Sequence, residues 1–522
     1  MNRSASVLSR TAYGLETHLV HVECHLAGGL PGTTIVGLAE GAVREARDRV
    51  KSAIRNSGFS YPVSHITINL APSHLSKSGT GFDLPIAIAI LVASEQLPRE
   101  ALHQTEFIGE LGLFDELRRA NNALASAKSC HQAGHRLFLP QANAYEVQLI
   151  ASDGFWTATS LMEVAELLCA KRQKPAAPVR PIKPTNSESG GIFDQIVGQY
   201  LAKQALMIAA AGGHHMLMIG PPGTGKTMLA QCLAGLLPDL DRQRMLEVAG
   251  VYSAYGCERE HYQRPPIRSP HHSVSTAAMG GGGQTPTPGE VTLSHCGVLF
   301  LDELPRFKPS TLDLLREPIE TGEIAIARAQ YRTSFPCRFQ LIAAMNPCPA
   351  GRSCKEHTCR CTPSQVQRYQ TRISGPLLDR IDLHVPVPEL DQQTMLNPQK
   401  EMQETSGGRN WAKTRQTIAH ARQHQAARQG CLNAHLNGGD LTRRIQQAKL
   451  DTSSLTKVTE HYELSMRSYH KLWPIALTLA DLEWVQENPD MAERRDRKDE
   501  LRICEHHVLD PLSFRATHWG HD

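Results

Sequence analysis

No apolar run in this chain is long enough to cross a bilayer. The longest, LPIAIAILVA (84–93), is far too short to span one and reads as a buried helix or strand. Nor does one sign of charge dominate: 55 Lys and Arg stand against 52 Asp and Glu, a net +3. Any basic surface for nucleic acid must therefore be local. The opening MNRSASVLSRTAYGLE has no apolar centre, so no secretory leader is expected. Thirteen cysteines without such a leader point to a reducing cytoplasm, with thiols or metal ligation in place of disulfides. Internal repeats are absent, and GGGG (280–283) is the only low-complexity tract. What is present is an ordinary globular mixture, 41% hydrophobic and 20% charged over 522 residues. That length suffices for about two to four domains with normal cores.

The clearest boundary is KRQKPAAPVRPIKPTNSESGG (171–191), rich in Pro, Lys and Ser, which predicts an exposed linker. Before it, residues 1–170 mix strand-like runs (HLVHVECHL, HITINLAP) with a helical AEGAVREARDRVKSAIRNSG. From 192 to 390 strands alternate with helices, which predicts a parallel sheet with crossover helices. Residues 391–522 read as helical and polar.

Gly220-Pro221-Pro222-Gly223-Thr224-Gly225-Lys226-Thr227 is a complete G-x-x-x-x-G-K-T loop between an apolar strand and a helix that opens through Met228. Its glycines let backbone N–H groups curl round phosphates, and the following helix N-terminus adds partial positive charge. Lys226 is placed to reach the β- and γ-phosphates of ATP, and Thr227 to ligate Mg²⁺. Such a loop needs a second strand ending in an acid, and GVLFLDEL (297–304) ends in Asp302 and Glu303. Asp302 is the expected Mg²⁺ partner and Glu303 the expected general base for water. A third strand, RFQLIAAMN, ends at Asn346, whose amide could orient water and sense the γ-phosphate, or could simply cap the turn before Pro347.

Loop, acid pair, Asn and then RISGPLLDRIDLHV (372–385) follow the order found in AAA+ ATPases. SPHHSVSTAAMGGGGQTPTPGEVTLSHCGVLFLDELPRF and LREPIETGEIAIARAQYRTSFPCRFQLIAAMNPCP closely resemble the magnesium-chelatase-like YifB/ComM family. The resemblance runs nearly end to end and implies an α/β AAA+ P-loop core with an α-helical lid. Before that core it implies an α+β Lon-protease-like (S5 domain 2-like) domain. It also implies a cytoplasmic, homo-oligomeric ATPase ring, usually a hexamer, acting as a motor on single-stranded or branched DNA. In that family the activity is associated with branch migration during natural transformation.

Carried over from the family, Arg380 in LLDRID resembles the arginine finger that reaches a neighbouring subunit's γ-phosphate. Its bland alternative is an ion pair with Asp379 or Asp382. Arg467 in ELSMRSYHKL resembles the sensor arginine of the lid. The chain then departs from the family: Pro474 and Leu477 replace two arginines, and a proline there is expected to kink the helix. The segment 269–290 resembles the family's helix-2 insert, and GEIAIARAQYRTSFP (322–336) alternates as a hairpin would. Both are expected to line a pore, with Arg328 and Arg332, joined by Arg264 and Arg268, as candidate phosphate contacts; each could equally be a solvated surface arginine.

Between Asn346 and Arg380 lie Cys348, Cys354, Cys359 and Cys361, with His357. They could hold a structural Zn²⁺. The spacing is not the paired kind, however, and Ala350 stands where family members often carry a second cysteine, so loss of the metal is the other reading. The Lon-like domain raises a rival function, an ATP-dependent peptidase. Aligned with Lon, Asp83 stands in place of the nucleophilic serine and Leu124 in place of its lysine, while Lys77 and Ser78 are sequence neighbours that a strand would point apart. A third reading is a chelatase-like remodelling motor, but that motor works with a partner subunit and lacks this amino-terminal domain.

Overall fold

The computed structural model describes residues 3–77, 79–151, 153–169, 196–283, 286–328, 331–351, 361–390, 411–436, 438–447, 466–488 and 503–514, without the side chains of 42, 327–328, 331–332 and 466–469. The predicted linker, Ser78, Cys354, His357 and Cys359 lie outside them.

The amino-terminal region is built on a seven-stranded mixed sheet, α+β as expected. Its long hairpin pairs Ser4–Tyr13 with Glu16–Ala27 in register from Ser4–His25 to Tyr13–Glu16. Strict alternation along Glu16–Ala27 puts Val20, Val22, Cys24 and Leu26 inside and the intervening residues outside. The apolar run 84–93 proves to be helical. Asp83–Ala93 is buried along its whole length, and a helix apolar on every side belongs in the middle of a core.

The second sheet has five strands, all parallel, in the order Ile267–Arg268, Val298–Leu301, Gln340–Met345, Met216–Ile219, Leu383–Pro386. The three central strands are almost wholly buried, as a sheet covered by helices on both faces requires. Helices Tyr200–Gly212 and Lys226–Leu236 pack on one face, in one cluster with Trp411, Ile418 and Ile475 of the carboxy-terminal helices. Glu323–Arg328 and Tyr331–Pro336 form the expected antiparallel hairpin just ahead of Gln340–Met345.

The two regions are joined by specific contacts. The backbone N–H of Asn122 donates to Ser253 O at 2.9 Å, and that of Leu124 to Ser253 Oγ at 3.1 Å. Leu124, Leu149, Met245, Val248, Tyr252 and Tyr262 share one apolar cluster. At the hairpin turn Gly14 (φ +62°) a Cβ would sit 2.4 Å from Thr333 Oγ1, so the amino-terminal sheet lies directly against the second hairpin.

The helix Met466–Glu487 runs on through Pro474, and the Pro474 carbonyl accepts from Thr478 Oγ1 at 2.8 Å. Leu477 is buried with Trp473, Ala476 and Val508. The departure from two arginines thus gives an apolar lid core. Among the described residues no helix is long and apolar enough to cross a membrane.

Candidate nucleotide site

The strands Met216–Ile219, Val298–Leu301 and Gln340–Met345 are adjacent, and each ends at a candidate residue: Gly220, Asp302 and Asn346. Parallel pairing puts all three at the carboxyl edge of the sheet, where open α/β sheets bind ligands. The loop conformation needs its glycines. Gly223 and Gly225 have φ of +82° and +87°, and a Cβ on Gly220 would lie 2.0 Å from Val387 O.

Lys226 is buried and donates Nζ to the carbonyls of Gly220 (2.8 Å) and Pro221 (2.6 Å), with Asn346 Oδ1 at 3.4 Å. Burial pulls its ammonium below the usual lysine range, which Asp302 only partly offsets. A polyphosphate in the loop would favour the charged form. Thr227 Oγ1 donates to Asp302 Oδ2 at 3.1 Å, so the hydroxyl and carboxylate of a Mg²⁺ site already face one another. These residues fit ATP and Mg²⁺.

Glu303 has a left-handed backbone, φ +53°, and its N–H donates to Asp302 Oδ1 at 2.9 Å. Its carboxylate is held by Arg306 Nη1 at 3.1 Å, with His272 Nδ1 at 3.6 Å. Sequence reasoning missed both. Arg306 follows Glu303 by three residues, which was a usable signal; His272, from the helix-2 insert, gave none.

The side chain of Arg380 is 13% exposed and forms an ion pair with Glu320 of the same chain, while Nη1 donates to Pro376 O at 2.6 Å. Its ion-pair partner among the described residues is thus Glu320, and Asp382 is held by Lys471 instead. Arg467 stands on the lid helix, and its side chain is not among those described. Cys348 is buried and Cys361 half-buried at the two ends of the undescribed stretch. Gly351, three residues past Cys348, places its would-be Cβ 3.2 Å from Pro222, so the cysteine loop starts against the phosphate loop.

Arg328 and Arg332 lie on the two strands of the hairpin, one register step apart, with side chains outside those described. Arg268 is already committed: it makes a bidentate pair with Glu290 at 2.7 Å on both arms. Arg264 is half-buried. The insert and the hairpin meet, since a Cβ on Gly281 would lie 2.8 Å from Ile326 Cδ1.

The peptidase positions have other duties. Asp83 is buried and receives both arms of Arg49, at 2.7 and 2.9 Å. Burial pushes its carboxyl up despite Arg49. Leu124 is buried in the cluster against the second region. Lys77 is buried with Nζ on Pro72 O.

Families described as "Magnesium chelatase, subunit ChlI", "Subunit ChlI of Mg-chelatase" and "Magnesium chelatase, subunit ChlI C-terminal" match residues 192–395, 22–143 and 408–493. The chain is 44% identical to the uncharacterized protein YifB of Escherichia coli (strain K12) over 516 residues, covering 98% of this chain and 96% of that one. It is 42% identical to the competence protein ComM of Haemophilus influenzae over 509 residues, 96% and 98% of the two chains. A more distant likeness, 27% over 222 residues, reaches the probable DNA helicase MCM9 of Oryza sativa subsp. indica, covering 40% of this chain and 28% of that one. Relatives this similar over nearly their whole length, together with a phosphate loop, acid pair and Asn on three adjacent strands, settle the family: the chain belongs to the YifB/ComM family of magnesium-chelatase-like AAA+ ATPases.

Proposed function

We propose that this chain is an ATP-hydrolysing subunit of a homo-oligomeric, hexameric ring that works as a motor on single-stranded or branched DNA. The observation that carries the ATPase is the convergence of Lys226, Thr227, Asp302 and Asn346 at one edge of the sheet. In this reading Lys226 and the phosphate loop hold the polyphosphate, while Thr227 and Asp302 hold Mg²⁺, which would neutralise charge on the β- and γ-phosphates. Glu303 takes the proton of the attacking water once it leaves Arg306, and Asn346 orients that water. Arg380, freed from Glu320, serves the neighbouring subunit's γ-phosphate. Three domains follow the predicted division at 171–191, with a non-proteolytic amino-terminal one. Support for DNA comes from the names of the ComM and MCM9 relatives and from the hairpin that carries Arg328 and Arg332.

The test is ATP turnover with and without single-stranded, duplex and branched DNA. Stimulation by DNA, and tighter DNA binding with ATP in Glu303→Gln, are the expected results. Removing Arg328 or Arg332 should lower the salt slope of DNA binding by about one unit each. Turnover indifferent to every DNA would leave an ATPase that acts on something else.

A further inference from the structure

At the opposite edge of the same sheet, where the strands begin, a cleft of about 460 Å³ opens between the core and the lid. His215, Gly297 and Gln340, at the amino ends of the three central strands, form its floor, and the turn after helix Trp411–Gln429 forms one wall. Nothing in the nucleotide chemistry uses it, because the phosphate loop lies at the other end of those strands.

Among the described residues, three arginines and three carboxylates line it. Arg244, Arg338 and Arg422 all line it, and they come from three separate places: the first turn of helix Arg242–Tyr255, the link before Gln340–Met345, and the lid helix. The lining carboxylates are already engaged. Asp239 pairs with Arg415 at 2.7 Å, Glu247 with His295 at 3.2 Å, and Glu320 with Arg380. Arg422 spends only Nε, on Ala210 O at 2.6 Å. No carboxylate among the described residues approaches Arg422 or Arg338 within 4.0 Å, and Arg244 has only Asp241 at 3.6 Å. Burial, with Arg244 adding repulsion, pulls the Arg422 guanidinium down to about 10. Arg338 and Arg422, with no carboxylate of their own, would gain from an anion bound beside them.

We propose that this cleft binds a small phosphorylated anion of at least two negative charges, seated between Arg244, Arg338 and Arg422 and bridging the core to the lid. Three guanidinium forks arriving from three elements suit a tetrahedral phosphoryl group, whose oxygens point in several directions, better than a planar carboxylate with two coplanar oxygens. The volume suits a phosphate, a diphosphate or a compact phosphorylated metabolite. Since Glu320 stands in the wall and holds Arg380, occupancy is sensed one contact from the finger candidate.

The experiment titrates the full chain with inorganic phosphate and with pyrophosphate by calorimetry. A Lys226→Ala background removes the lysine contact of the phosphate loop. One anion per chain is expected. Arg422→Gln should weaken it by about tenfold or more, as loss of a charge-assisted hydrogen bond does. Arg422→Lys should retain part of the affinity, and Arg118→Gln, an exposed pair elsewhere, should leave it unchanged. Arg338→Gln, on an exposed side chain, gives the same readout should Arg422→Gln fail to fold. Tighter pyrophosphate than phosphate points to a diphosphate ligand, and equal affinities to a single phosphoryl group. No binding at millimolar anion, binding indifferent to both arginines, or displacement of pyrophosphate by single-stranded DNA would overturn the proposal.

Discussion

Lys471 joins the lid to the turn that carries Arg380: its Nζ donates to the Asp382 carboxylate and, at 3.1 Å, to the backbone carbonyl of Arg380 itself. Arg467 precedes Lys471 by four residues, so the two share a face of one helix. A shift of the lid helix would therefore carry the Arg380 turn with it.

Lys471→Met should uncouple the two. Turnover is expected to fall about tenfold, the cost of one charge-assisted contact, while ATP affinity stays within about twofold. Steady-state ATPase measured beside equilibrium nucleotide binding makes the comparison; a parallel loss of both would place Lys471 in nucleotide binding instead.

In the proposed ring, Arg380 would exchange Glu320 for a neighbour's phosphate. Glu320 is 55% exposed, so the pair is worth about 1 kcal/mol or less. Glu320→Gln should therefore lower the chain concentration giving half-maximal ATPase by up to about fivefold. Arg380→Ala chains mixed with Lys226→Ala chains should recover activity at composite interfaces, since each mutant retains what the other lacks. Mixtures as inactive as the separate mutants would remove Arg380 from that role.

Acidification should destabilise the fold through the sheet's floor. Burial pulls His215 down to about 4, so it is neutral when folded, and Leu341 N–H donates to its Nδ1 at 2.9 Å. Below about 6.5 the unfolded chain binds the proton first, so stability is complete above that pH and declines towards pH 4. Although burial opposes it, Lys471 and His214 hold Asp382 well below the usual carboxylate range. Its contribution is present above about 3.8 and is lost as pH falls further. Urea unfolding between pH 7 and 4 should show a slope of up to about 1.4 kcal/mol per pH unit from His215, reduced in His215→Gln.

Leu124→Ala should cost about 2–5 kcal/mol of unfolding free energy, as for other buried leucines. Casein should remain uncleaved by the parent chain, because Asp83 is bound to Arg49 and Leu124 is core. Casein cleavage would demand a nucleophile elsewhere.

How much of this was readable beforehand divides by range. The phosphate loop, the acid pair and the Asn strand were legible because each is a short run whose residue types are dictated by local backbone and phosphate chemistry. Alternation gave the hairpin within 322–336, and helical, polar composition gave the lid. The run 84–93 stayed open between helix and strand, since a segment apolar on all sides carries no period.

The sequence by itself determined which residues could meet a nucleotide, because spacing along one strand–loop–helix unit is enough to aim them. Tertiary structure alone decided their partners. It set Glu303 against Arg306 and His272, closed Arg380 onto Glu320, and committed Arg268 to Glu290. It carried Lys471 to Asp382 and left Arg338 and Arg422 at one cleft with no carboxylate within 4.0 Å among the described residues. Those pairings join residues from different elements, and charge has no periodicity that reports which distant element the fold brings within 4.0 Å.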